Sequence, residues 1–145
     1  MPGTHCEIPE FNPPSEAVEA ILRRYHTVAV VGLSAKPERD SYKVAAYLKE
    51  KGFKIVPVNP GQKAILDETC YRSLKDLPFP VDIVNIFRRP EAVPPIVDEA
   101  MAIGAKVIWM QLGIVHNEAA KKARDAGLEV VMGRCIKIEH MRMNE

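Results

Sequence analysis

Gly32, Ser34, Lys36, Arg39 and Ser41 fall in one segment, GLSAKPERDS, between a β-branched run and a helical pattern. A glycine, two hydroxyls and two cations in a strand-to-helix turn can receive a phosphate, because the next helix offers free backbone N–H groups and a positive dipole end. A structural turn with exposed charges has the same composition. A dinucleotide fingerprint would need three glycines at fixed spacing, and only Gly32 is present. Arg88 and Arg89 form a second cationic spot, and a guanidinium fork matches the oxygens of a phosphate monoester. A solvated arginine pair is the alternative. Phe87, just before them, suits either a core or a stacking role.

Three more segments carry polar or reactive groups. PVNP, from Pro57 to Pro60, offers Val58, Asn59 and Pro60 as a stiff wall with little polar chemistry, suited to a flat base, or a simple turn. No Asp or Glu stands there, which argues against the ribose clamp of an NAD site. Gln111 and Gly113 close another apolar run, one as a polar group and one permitting close backbone approach. Cys135 follows the last run beside Arg134; it is an inert thiol or a reactive one with a cation next to it. His5, His26, His116 and His140 are scattered, no C-x-x-C or H-x-x-x-H pair exists, and G-x-S-x-G is missing. Neither a metal site nor a Ser-His-Asp site is expected.

These segments matter only if the chain brings them together. Thr27–Leu33, Phe53–Val58, Val81–Phe87, Lys106–Met110 and Leu128–Met132 read as buried strands, with a shorter one near Thr69–Tyr71. Helices are predicted from Ser15 to Tyr25 with Ser15 as N-cap, and from Ser41 to a stop at Gly52. Others run from Pro90 to Gly104, from an Asn117 cap to Gly127, and from Ile136 onward. Strands alternating with helices specify a single α/β domain, a Rossmann-like doubly wound parallel sheet of five or six strands with helices on both faces. The candidate segments then share the carboxyl edge, where such sheets bind ligands.

Length and composition agree. The chain has 145 residues, enough for one domain, and 20 Lys+Arg against 19 Asp+Glu, so no field favours nucleic acid or an acidic membrane. No apolar stretch is long enough to span a bilayer, and Met1–His5 lacks the basic start of a secretory leader. Three widely spaced cysteines suit a reducing, cytoplasmic compartment. Residues 1–14 are expected to form a flexible arm and residues 15–145 the domain. The 12 prolines are in excess, and Pro37, Pro57, Pro60 and Pro90 are expected at strand ends as rigid walls of a cleft.

Taken in order, GLSAKPERDSYKVAAYL, GFKIVPVNP, VDIVNIFRRPEAVPPIVDEA, GAKVIWMQLGI and AGLEVVMGRCIKIEH resemble the small CoA-binding proteins, which are similar to the CoA-binding domain of the succinyl-CoA synthetase α subunit. The resemblance runs from about Ser15 to His140. It implies a fold holding coenzyme A, free or acylated, along the carboxyl edge. Gly32, Ser34, Lys36, Arg39 and Ser41 would surround the pyrophosphate, and Val58, Asn59 and Pro60 would line the adenosine side. Lys63 or Arg88 would meet the ribose phosphate; Phe87, Arg88, Pro90 and Val93 would border the opposite wall. Gln111 and Gly113 would lie toward the pantetheine arm. The synthetase phosphohistidine belongs to a later domain and matches none of the four histidines, so a binding protein without its own catalytic machinery is expected. The alternatives are a CoA-binding component of an acyl-CoA ligase acting with a separate subunit, and an NADP-type Rossmann protein. A mixed disulfide between Cys135 and CoA is a further reading. Nothing in the sequence chooses between a monomer, a homo-oligomer and a complex with a protein partner.

Overall fold

Apolar runs without polar alternation need cover on both faces, and the chain supplies it. The structure, a computed structural model, describes residues 7–143. In chain order it contains α1 (Ser15–Arg24), β1 (Thr27–Val31), α2 (Asp40–Glu50), β2 (Lys54–Val58), β3 (Ala64–Ile65), β4 (Glu68–Thr69) and β5 (Ile83–Ile86). Then follow α3 (Val93–Ala102), β6 (Val107–Met110), α4 (Asn117–Asp125), β7 (Glu129–Val131) and α5 (Ile136–Met143). Five strands form one parallel sheet in the order β2-β1-β5-β6-β7, a Rossmann-like arrangement.

Alternate residues of each strand enter opposite layers. Val28, Val30, Ile83, Val107 and Trp109 pack with α1, α2 and α5 through Ile21, Leu22, Leu48 and Ile136. Ala29, Val31, Val84, Ile108 and Met110 pack with α3 and α4 through Val97, Ala100, Ala119 and Ala123. The alanine stripe of α4 is therefore a contact face, where small side chains let the helix lie close to the sheet.

The expected strand at Thr69–Tyr71 is a local hairpin instead. β3 and β4 pair antiparallel around Leu66 and Asp67, both at positive φ, and Tyr71 makes a single parallel bridge to Val58. A chain that turns back after two residues cannot extend the main sheet. Two caps also move. Pro14, already extended, takes the N-cap place of α1, and its carbonyl accepts from Ala17 and Val18. His116 caps α4, its Nδ1 accepting from the Ala119 N–H at 3.1 Å. Asn117 is otherwise engaged, donating to Glu7 and the Ile8 carbonyl and accepting from the Glu10 N–H.

The prolines divide. Pro94 and Pro95 sit in the first turn of α3, where no N–H is needed. Pro57 is not a cleft wall: it lies buried inside β2. That strand is at the sheet edge, and the Pro57 carbonyl points outward to the Tyr71 N–H at 3.0 Å. The missing N–H thus removes no bond to β1. Of the expected arm, residues 1–6 lie outside the described residues. From Glu7 the chain runs against the domain, and the Asn12 amide exchanges two hydrogen bonds with the Met132 backbone, at 2.9 and 2.8 Å. No described helix is long and apolar enough to cross a membrane.

Candidate functional site

The chain leaves β1 one way to reach β2, then crosses back to place β5 on the other side of β1. The strand order reverses between β1 and β5, and a crevice opens beyond their carboxyl ends. Gly32 sits at that point with φ +88°. A Cβ there would stand 2.9 Å from the Phe87 carbonyl oxygen and 2.8 Å from Arg88 Cδ. Glycine is required so that the loops after β1 and β5 can touch.

The turn after Gly32 is braced by its own hydroxyls. Ser41 Oγ accepts from the Ser34 N–H at 2.9 Å, and Ser34 Oγ accepts from the Lys36 N–H at 3.1 Å. Each hydroxyl still has its own hydrogen to donate. Gly32, Ser34, Arg39, Ser41 and Phe87 come together around a hollow of about 460 Å³ at the start of α2. Glu38 and Asp40 line it too, two carboxylates against the one cation of Arg39, so the attraction for an anion comes from α2's free N–H groups rather than from side-chain charge. Lys36 is exposed outside this lining.

A second hollow, about 170 Å³, lies between the ends of β1 and β2 and α3. Val58, Pro60 and Arg88 line it, with Arg72 and Glu99. Arg72 was missed in the sequence. It follows Tyr71, and the Tyr71 bridge to Val58 is what sets it at the carboxyl edge. Arg39, Arg72 and Arg88 make no ion pair among the described residues. Asn59 braces the turn from inside, donating to the Leu33 carbonyl at 2.8 Å and accepting from the Gly61 N–H at 2.8 Å. Lys63, ahead of the hairpin, lines none of these hollows. Pro90 opens a 3-10 turn before α3, and Val93 is fully buried in the α3–α4 core.

A third hollow, about 400 Å³, continues past Phe87 toward α5. Asp40, Lys43, Val44, Phe87, Gln111, Leu112, Ile114, Cys135, Lys137 and Ile138 line it. Phe87 is shared with the turn hollow and also packs on the core. Gln111 is 5% exposed, and its Oε1 accepts from Asn85 Nδ2 at 3.2 Å and the Ile136 N–H at 3.3 Å. Asn85 is fully buried and also donates to the Trp109 carbonyl; its Oδ1 has no partner. Asn85 was not singled out, although a lone amide inside the run VDIVNIF was the available signal. Gly113 shapes the exposed turn from Gln111 to Ile114, at φ +82°. Trp109 Nε1 donates to the Arg134 carbonyl at 2.8 Å and so pins the segment that carries Cys135.

The groups with shifted acidities lie elsewhere. Burial pushes the Cys70 thiol up. Between α2 and α5, burial holds His140 below its ordinary value, with Lys51 and His26 adding to the effect. Its Nδ1 lies 2.7 Å from the Tyr47 hydroxyl.

Fold and cleft together define a Rossmann-like α/β domain whose carboxyl edge carries hollows that are cationic at one end and mainly apolar at the other. A family model described as CoA binding domain matches residues 26–141, and the chain belongs to that family. It is 40% identical over 129 residues to the uncharacterized protein YneT of Bacillus subtilis, covering 89% of this chain and 96% of that one. A hypothetical protein from Pyrococcus horikoshii OT3 has a solved structure similar to this one at TM-score 0.90 and 39% identity, covering 98% and 100% of the two chains. The ADP-forming acetate–CoA ligase II subunit alpha of Pyrococcus furiosus is 26% identical over 128 residues, 81% of this chain and 28% of that subunit.

Proposed function

We propose that the protein binds coenzyme A, free or acylated, along the carboxyl edge of its sheet, and that it has no self-contained catalytic machinery. Membership of the CoA binding domain family carries the reading. The order of the hollows supports it. Arg72 and Arg88 flank the hollow next to Val58 and Pro60, suited to an adenosine with a ribose phosphate. The start of α2 suits the pyrophosphate, and the mainly apolar hollow around Phe87 and Gln111 suits the pantetheine arm. The end of β2 carries no carboxylate to repel a ribose phosphate. In this reading Gly32, Ser34, Arg39, Ser41 and Phe87 hold the diphosphate region, and the protein works as a reduced cytoplasmic one.

Calorimetric titration of CoA, dephospho-CoA and NAD tests this. CoA is expected to bind tightest, dephospho-CoA more weakly, and NAD weakest. NAD binding tighter than CoA would overturn the reading. Equal affinity for CoA and dephospho-CoA would remove the role given to the arginines.

The likeness to part of an acetate–CoA ligase subunit favours a second reading, a CoA-holding component that works with a separate catalytic subunit. Under the first reading the isolated protein, given CoA, acetate and ATP, forms no ADP. ADP formation would overturn the absence of catalysis.

A further inference from the structure

We propose that Cys135 is a thiol-exchange site, whose sulfur takes one half of CoA disulfide into a mixed disulfide at the pantetheine end of the cleft. This rests on the CoA reading above. Cys135 is half-buried and lines the hollow beyond Phe87, whereas Cys70 is buried.

A second observation at the same hollow points to a ligand. Gln111 is 5% exposed, and its carbonyl oxygen is turned inward, held by Asn85 and the Ile136 N–H. Both partners are donors, so reversing the amide would set N–H against N–H and leave the Ile136 N–H without an acceptor. Its Nε2 is the end left toward the hollow, and it makes no hydrogen bond among the described residues. That atom is not fully buried, so water meets it in the free protein, and a ligand carbonyl can take the water's place. The pantetheine arm does so through its amide carbonyls, and its methylenes match Val44, Phe87, Ile114 and Ile138. An arm laid past Gln111 ends in sulfur next to Cys135.

The segment holding Cys135 is also fixed. Trp109 bonds the Arg134 carbonyl at 2.8 Å, and the Cys135 carbonyl accepts from the Glu139 N–H at 3.0 Å. Lys43 and Lys137 bring positive charge to the hollow against the one carboxylate of Asp40. Exchange spreads negative charge over the reacting sulfurs, and net positive surroundings favour it.

The step balances. Cys135 loses its thiol proton to solvent, and its sulfur attacks one sulfur of CoA disulfide. The new S–S bond joins Cys135 to one CoA, and the electron pair of the broken bond leaves with the other CoA as thiolate, which takes up a proton. A free thiol reverses the step, releasing CoA.

The test uses the reduced full chain with CoA disulfide, read by intact-protein and peptide mass spectrometry. The expected result is one CoA adduct on Cys135, absent in Cys135→Ser and removed by dithiothreitol. The adduct should form at least about tenfold faster than the glutathione adduct from glutathione disulfide, because the cleft concentrates the reagent. A melting curve of Cys135→Ser shows whether that variant is folded. Gln111→Leu, checked by the same melt, should slow the CoA adduct toward the glutathione rate. Calorimetry with reduced CoA on the unmodified protein separates the two claims. CoA binding without an adduct overturns the exchange site and leaves the CoA reading standing. Equal rates with both disulfides, or modification at Cys6 or Cys70, overturns the exchange site as well. An absence of CoA binding overturns the reading on which it rests.

Discussion

At the β1–β2 end of the cleft the cationic groups are carried on turns and remain open to water, while Ser41 is buried at the start of α2. Arg72 and Arg88 are exposed, and the serines of the Gly32 turn use their oxygens to brace backbone. At the β6–β7 end the polar groups are buried, and Asn85 and Gln111 form an amide pair between the sheet and α5. The contrast matches what each end would hold under the proposed CoA reading. A phosphate is strongly hydrated, so surface cations and helix N–H groups can meet it without first being desolvated. A flexible, weakly polar arm needs an apolar channel, and a buried donor there gains strength from the low dielectric. Under the proposed CoA reading, one end would select by charge and the other by shape and the Gln111 donor.

The largest change is expected where the two ends join. Gly32→Val places a β-branched side chain at positive φ and drives it into the Phe87 carbonyl. It should cost about 3 kcal/mol in urea unfolding. A loss below about 1 kcal/mol would mean that the Phe87 loop yields and that the ends are not rigidly coupled.

Gln111→Leu comes next. It leaves Asn85 Nδ2 without one acceptor and the Ile136 N–H without any, and should destabilise by about 2 kcal/mol. Paired with Asn85→Leu it should cost less than the sum of the two single changes, since each breaks the same bond. Strict additivity in the double-mutant cycle would remove the amide pair as a unit.

Arg88→Ala probes the open end. It should weaken CoA by about tenfold, near 1.4 kcal/mol, with dephospho-CoA nearly unaffected. Stability should stay within about 0.5 kcal/mol, because an exposed arginine without an ion pair holds no part of the fold. A drop in melting temperature comparable to that of Gln111→Leu would erase the distinction between the ends.

The smallest effect is one of pH and lies outside the cleft. His140 titrates below its ordinary 6.5 because of burial. As pH falls through 6.5 the unfolded chain takes up this proton before the folded one, so stability is lost down to the folded pKa and then levels off. Melting curves from about pH 7.5 to about pH 5 should show a modest decline that His140→Gln reduces. CoA affinity of His140→Gln at about pH 7.5 should be unchanged, since His140 lines none of the hollows.

The strands were legible because each is a run of β-branched and apolar residues closed by Gly or Pro, and burial on both faces leaves that mark directly. TVAVV and VIWM needed no tertiary information to be read. The turn around Gly32 was legible for a similar reason: its polar residues are neighbours in sequence. Asn117 and Ser15 failed as caps because competing partners decided the matter. Pro14 closed one helix start, and residues 7–10 occupied Asn117. Arg72 and Asn85 were missed because what makes them notable is contact across strands. A single bridge from Tyr71 to Val58 carries Arg72 to the cleft, and the register pairs Asn85 with Trp109, next to Gln111.

The sequence by itself determined the parallel α/β architecture, the edge on which polar residues gather and the family to which they belong. Those depend on local periodicity and on residues close together in the chain. Only the tertiary structure decided that Arg72 lines the hollow beside Val58 and Pro60, which Lys63 does not. It alone turned the Gln111 carbonyl inward and set Cys135 at the end of the apolar hollow. The physical reason is that such roles are relations between segments, set by strand order and register, which no single segment encodes.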